Sequence, residues 1–285
     1  TEGVEVSHPS SSGYPNVPGF QDKADEGWKK IIEVVQAEGS KIFPQLWHVG
    51  AMRKEGMAPD PKVPGYTPSG LVNTNKQAAH AMTADEVEML IECFVKDILK
   101  IKDLGFDGVE LHGAHGYLID NFFWEGTNQR DDTYGGEIDK RTKFACEIIK
   151  RARKEIGRDF PIAIRFSQWK QQDYEAKLAH TPDELEKFLM PLVDAGVDVF
   201  HASNRRYWEP EFEGSDLNLA GWTKKISGLP TITVGSVGLK SDFIGLYAGE
   251  DAVESAPIDE LVSRLDAEEF DMVAVGRALL SLIHI

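Results

Sequence analysis

Apolar residues recur at helical spacing through Asp25–Glu38, DEGWKKIIEVVQAE, and the pattern stops at Gly39, a residue suited to a left-handed helix end. The next stretch, KIFPQLWHVG, is a short apolar run and reads as a buried strand. The same alternation repeats down the chain. Thr83–Leu104 opens with TADE, in which Thr83 and Glu86 fit a capping box, and continues as an amphipathic helix to Gly105, ahead of the strand-like FDGVELHG. Gly136–Ile156 predicts another helix ending at Gly157, before the strand FPIAIRFS. Thr181–Ala195, with Pro182 at its first helical position, precedes VDVFHAS. LAGWTKKIS precedes PTITVGSVG, and PIDELVSRLDAEE precedes FDMVAVGRALL.

Strict alternation of strand and helix predicts an α/β fold with a parallel sheet, because parallel neighbours need a crossover and a helix supplies it. Strands rich in Val, Ile and Phe predict burial on both faces. An open doubly wound sheet and a closed barrel both satisfy this. Polar and Gly residues decide between them, since they gather at the C-terminal strand ends: Gln45 and His48, His112 and His115, Arg165, His201, Gly235 and Gly238, Gly276 and Arg277. A (β/α)8 TIM barrel brings such ends to one rim, where the active sites of that fold lie. The chain opens on TEGVEV without Met and ends on VGRALLSLIHI, so a single barrel domain over residues 1–285, lacking its first strand and last helix, is expected.

The balance of 47 acidic against 31 basic residues gives a formal charge of −16, which disfavours nucleic acid or an anionic membrane and favours a small-molecule partner. Cys93 and Cys146 stand far apart, so neither a disulfide framework nor a thiolate metal site is expected, and a reducing cytoplasm fits. No apolar run approaches membrane length.

The strand ends carry the candidate chemistry. TVGSVG and AVGRALL place glycines where backbone N–H groups can approach a phosphate, with Arg277 as a two-donor partner, although plain tight turns would look the same. Arg165 closes IAIRF, and a guanidinium there must meet an anion, either a ligand or a protein carboxylate. His112 and His115 fit a pair of donors aimed at one carbonyl oxygen. With His48 and His201 they also fit a metal set, as in barrel hydrolases, but no Asp or Glu lies within HGAHG to complete it. Tyr117 beside them holds a proton at neutral pH and can act as an acid.

The motifs FPQLWHVG, HGAHGYLIDNFF, NQRDDTYGGEIDKR, IAIRF, TVGSVG and AVGRALL together resemble the Old Yellow Enzyme family of FMN-containing ene reductases, also called NADH:flavin oxidoreductases. The opening TEGVEVS resembles the segment just after that family's second barrel strand. The resemblance implies FMN at the rim, with Gln45 at the flavin pyrimidine edge, Arg165 near N1–C2, and Gly235, Gly238, Gly276 and Arg277 on the phosphate. Gly3 would add a backbone contact beside the ring, and Trp47 would shape the pocket. His112 and His115 match the pair that binds the substrate carbonyl, and Tyr117 matches the proton donor. NADH or NADPH would be the reductant and an electrophilic alkene the substrate, in a monomer or homodimer. The segments SQWKQQDYEAKLAH and SNRRYWEPEFEGSDLN depart from the family's usual loops. A metal-dependent barrel hydrolase and a truncated, non-catalytic barrel are the alternatives.

Overall fold

Helices α1 (Asp25–Ala37) and α2 (Ala84–Leu104) form where the apolar periodicity places them. The computed structural model describes residues 1–14, 16–240 and 254–280. At the start of α2 the expected capping box is made: the Glu86 N–H donates to Thr83 Oγ1 at 3.2 Å, and the Thr83 N–H donates to Glu86 Oε2 at 2.8 Å. Gly105, at φ 96°, ends the helix in the left-handed conformation. Replacing Thr83 with Ala is expected to cost about 1 kcal/mol and to lower the midpoint of thermal unfolding by a few degrees, read by calorimetry.

The chain divides into two compact units, Thr1–Leu178 with Met190–Asp198, and Ala179–Leu189 with Val199–Ile285. In the first, strands β1 (Gly3–Glu5) and β2 (Gln45–Trp47) are followed by four short strands: β3 (Tyr66–Thr67), β4 (Leu71–Asn73), β5 (Lys76–Gln77) and β6 (His80–Ala81). These four form two small sheets that the sequence pattern does not reveal. Strands β7 (Val109–His115) and β8 (Ile162–Lys170) complete the main sheet of this unit, which runs parallel in the order β1-β2-β7-β8. Helix α2 packs on its neighbours through an apolar side. Leu90, Phe94 and Ile98 of α2 are fully buried, and Phe144 stacks on Phe122 with ring centres 4.2 Å apart while meeting Phe94 edge-on at 6.1 Å. Each such side chain contributes roughly 1.5–3 kcal/mol by leaving water.

Three expectations need correction. TEGVEVS, expected to lie just after a strand, itself contains one: Val4 and Val6 are buried, and β1 pairs with β2 in register Gly3–Gln45. The helix expected over Gly136–Ile156 is two helices, α4 (Ile138–Arg141) and α5 (Lys143–Ile156). They part at Thr142, whose hydroxyl donates to the Asp139 carbonyl at 2.5 Å, while Arg141 turns inward to donate to the carbonyls of Phe123 and Gly136. Between β7 and α4 lies the short α3 (Leu118–Phe123). Strand β8 runs past the expected end at Ser167, because Gln168, Trp169 and Lys170 are also buried.

In the second unit, β9 (Val199–Ser203), β10 (Thr231–Val234) and β11 (Met272–Val273) are parallel neighbours. They alternate with α7 (Leu219–Ser227), α8 (Asp259–Asp266) and α9 (Arg277–Leu280); α6 (Pro182–Ala195), of which only the first half belongs to this unit, precedes them in the chain. α7 is capped by Asn218, whose Oδ1 accepts the Gly221 N–H at 2.9 Å, and is closed by Gly228 at φ 67°.

Candidate active site

Parallel pairing in the first unit lines up side chains strand by strand. Gly3, Gln45, Glu110 and Ala163 are successive partners across the sheet, and two residues further on, on the same face, Glu5 pairs with Trp47 and His112 with Arg165. Polar groups therefore concentrate on one face of four adjacent strands. Gln45 Nε2 donates to Glu110 Oε1 at 2.6 Å. Burial pushes the Arg165 guanidinium below its ordinary value, and the Glu110 carboxylate opposes that shift. The guanidinium remains a cation at any physiological pH. Glu110 is a partner of these candidate residues that the sequence reading missed. Its signal was present, a lone acid in an apolar strand two residues before His112.

Beyond His112 the strand breaks its register between Gly113 and His115. His115 has φ 64° and Gly116 φ 79°, so two successive residues take the left-handed conformation, the first of them without glycine's freedom. This turn folds the motif into a cluster. The His112 ring centre lies 5.1 Å from that of His115 and 5.0 Å from that of Tyr117, and Trp47 stands 5.2 Å from Tyr117 and 6.3 Å from His112. Two further aromatics, absent from the expected set, border the cluster: Trp169 stacks on His115 at 4.4 Å, and the hydroxyl of Tyr14 lies 3.4 Å from that of Tyr117. Gly3 sits under Trp47, where a Cβ would meet the indole at 2.7 Å. Trp124 is buried at the end of α3.

His48 belongs elsewhere. It is buried, its Nε2 bonds to Ser10 Oγ at 2.8 Å, and its Nδ1 accepts the Gly50 N–H at 3.1 Å. Its carbonyl accepts the Leu118 N–H at 2.9 Å, so it supports the start of α3. Among the described residues no group of three or more His, Cys, Asp or Glu side chains could hold a metal ion, so the donor set of the hydrolase alternative is not assembled. Burial, with lesser repulsion from His8 and Arg53, pushes the His48 imidazole down to about 3. Because the folded value lies below the unfolded one, its stabilising contribution is complete above about pH 6.5 and is lost as pH falls below that. The stability gap between wild type and His48→Gln is expected to narrow by about 2 kcal/mol between pH 7 and pH 5, in urea unfolding at each pH.

In the second unit the expected anion turn comes directly after β10. Gly235 has φ 148°, Ser236 φ 50° and Gly238 φ 69°. A Cβ at Gly235 would lie 2.9 Å from the Asn204 carbonyl oxygen, so only glycine fits there. Turns of this kind present backbone N–H groups to an anion. Among the described residues, nothing lies within 4 Å of a Cβ placed at Gly276, just ahead of α9. Arg277 is the first residue of α9, and its side chain lies outside the described residues.

These residues fit FMN. A flavin ring needs polar partners at its pyrimidine edge and a turn for its phosphate. Gln45 and Arg165 of the first unit are groups of the first kind, and the Gly235–Gly238 turn of the second unit, taken by itself, is a turn of the second kind. Trp47 Nε1 is a buried donor without a hydrogen-bond partner among the described residues, as expected of a group that a bound molecule satisfies.

The family model of the NADH:flavin oxidoreductase / NADH oxidase family matches residues 1–253. Among curated proteins, NADH oxidase of Thermoanaerobacter brockii is 34% identical over 98% of this chain and 41% of its own length. 12-Oxophytodienoate reductase 2 of Arabidopsis thaliana is 34% identical over 64% of this chain and 50% of its own. The chain thus spans about half the length of the curated relatives it matches. Among solved structures, morphinone reductase in complex with tetrahydroNAD superposes with a TM-score of 0.76 at 25% identity, over 97% of this chain and 72% of that one. The α/β fold is that of the (β/α)8 TIM barrel. No helix among the described residues is long and apolar enough to cross a membrane.

Proposed function

Because the chain belongs to the NADH:flavin oxidoreductase / NADH oxidase family, the Old Yellow Enzymes, whose cofactor is FMN, we propose that it is an ene reductase. It reduces the activated C=C bond of an α,β-unsaturated carbonyl compound with NADH or NADPH, and residues 1–285 act as one flavin-binding domain. The observation that carries this is the aromatic cluster of His112, His115 and Tyr117, with ring centres 5.0–5.1 Å from His112 and bordered by Trp47.

Gln45 and Arg165 hold the flavin pyrimidine edge, Gly3 contributes backbone beside the ring, and Gly235, Gly238, Gly276 and Arg277 hold the phosphate. FMN held there would supply the hydride that reduces the β-carbon of the alkene. His112 and His115 donate hydrogen bonds to the substrate carbonyl oxygen. Negative charge grows on that oxygen as the β-carbon is reduced, so the two donors bind the transition state more strongly than the ground state. Tyr117 then gives its proton to the α-carbon. The Arg165 guanidinium, near enough to Glu110 to feel its charge and unable to deprotonate, would hold a cation at the pyrimidine edge.

The purified chain supplied with FMN is expected to take up the flavin, turn yellow, and oxidise NADH or NADPH anaerobically when 2-cyclohexenone is added, with cyclohexanone as product. A protein that refuses FMN, or that oxidises the nucleotide only with O2, would overturn the assignment.

A further inference from the structure

Lys170 and Asp120 are both completely buried, and Lys170 Nζ donates to Asp120 Oδ1 at 2.7 Å. A buried ion pair adds little net stability, so its presence calls for a role beyond holding the fold. Its connections point to one. Asp120 Oδ2 accepts the Gly116 N–H at 2.7 Å, and Lys170 also donates to the Ser167 carbonyl at 2.9 Å. Ser167 Oγ accepts the His115 N–H at 3.0 Å, the Gln171 N–H reaches the His115 carbonyl at 3.3 Å, and the Gly116 carbonyl accepts from both Asn121 Nδ2 and Gln172 Nε2. Every backbone polar group of His115 and Gly116 is thus held, by β8, the turn after it, or α3. These are the two residues whose left-handed backbone swings His115 and Tyr117 onto one cluster. A non-glycine residue stays in that conformation only where its surroundings over-determine it.

We propose that Lys170, through its ion pair with Asp120, is a positioning residue that locks the His115–Gly116–Tyr117 turn, and so sets the geometry of one carbonyl donor and the proton donor together. The inference rests on the ene reductase assignment for its catalytic consequence, but not for its structural one. Lys170 touches neither substrate nor cofactor; it acts through Asp120 on the Gly116 N–H and through the Ser167 carbonyl on the segment that receives the His115 N–H.

The test compares wild type, Lys170→Met and the double variant Asp120→Asn/Lys170→Met. The double variant leaves no unpaired buried charge, so it folds even where the single one is destabilised. Hydrogen exchange by mass spectrometry should show faster exchange confined to the peptide spanning residues 112–122 in both variants, with α2 and α5 unchanged. In the photoreduced FMN-loaded proteins, reoxidation by 2-cyclohexenone should slow by roughly 10- to 100-fold, the scale of a misplaced catalytic group. Reoxidation by O2, which uses neither histidine nor tyrosine, should be unchanged. Enone and O2 rates falling together, or a double variant with wild-type exchange and wild-type enone rate, would overturn the lock. A wild type that O2 reoxidises but no enone does would instead defeat the ene reductase assignment. The lock is then decided by exchange alone: faster exchange in residues 112–122 upholds it, and wild-type exchange there rejects it.

Discussion

Replacing Tyr117 with Phe is expected to slow reoxidation of the reduced flavoprotein by an enone by about 10²- to 10⁴-fold, the contribution of a well-placed general acid, while reduction by the nicotinamide nucleotide changes little. The substitution deletes a hydroxyl and keeps the ring. Tyr117 is only 6% exposed and packs edge-on against Trp47, so the aromatic wall survives the change. Any large effect therefore reports on the proton. Stopped-flow measurement of the two half-reactions separates them, and equal slowing of both would reject Tyr117 as the proton donor.

The second large effect is expected at His112. Ala at this position removes a ring that contacts His115, Tyr117 and Trp47 at once. On the proposed mechanism it also removes one of two donors to the oxygen on which charge develops, a loss that costs about 10²- to 10³-fold in comparable sites. His112→Asn keeps an N–H donor on a short planar side chain and is expected to recover most of that loss. Steady-state kcat/KM with a cyclic enone distinguishes the two. Equal activity in Ala and Asn variants would show that His112 packs the cluster without donating to substrate.

That both residues belong to one cluster was legible in the sequence, because HGAHGY combines strand end, glycines and titratable rings in a few positions. The barrel class was legible for a related reason: the alternation of helical and strand periods is a local signal, and parallel strands buried on both faces leave it nearly undiluted. What escaped was non-local. The small sheets of β3–β6 arise in the stretch YTPSGLVNTNKQAAHA, whose apolar residues have no sustained period. Lys170 sits in QWKQQ, which reads as a solvated loop, and its burial depends on Asp120, fifty positions away. Thr142 breaks a helix whose amphipathic pattern runs on unbroken, because Arg141 finds its carbonyl acceptors through the tertiary fold. Glu110 was visible but ambiguous, since only the register that sets it beside Gln45 shows it belongs to the site.

The most direct test is the isotopic pattern of the product. With 2-cyclohexenone turned over in D2O by the FMN-loaded chain, NMR of the cyclohexanone should show one solvent deuteron introduced by the enzyme at the α-carbon and hydrogen from the reduced nucleotide at the β-carbon, with the α-deuteron much slower to arrive in Tyr117→Phe. Solvent deuterium at the β-carbon, or recovery of the enone unreduced while the nucleotide is oxidised, would contradict a site in which two histidines hold the carbonyl and Tyr117 delivers the proton.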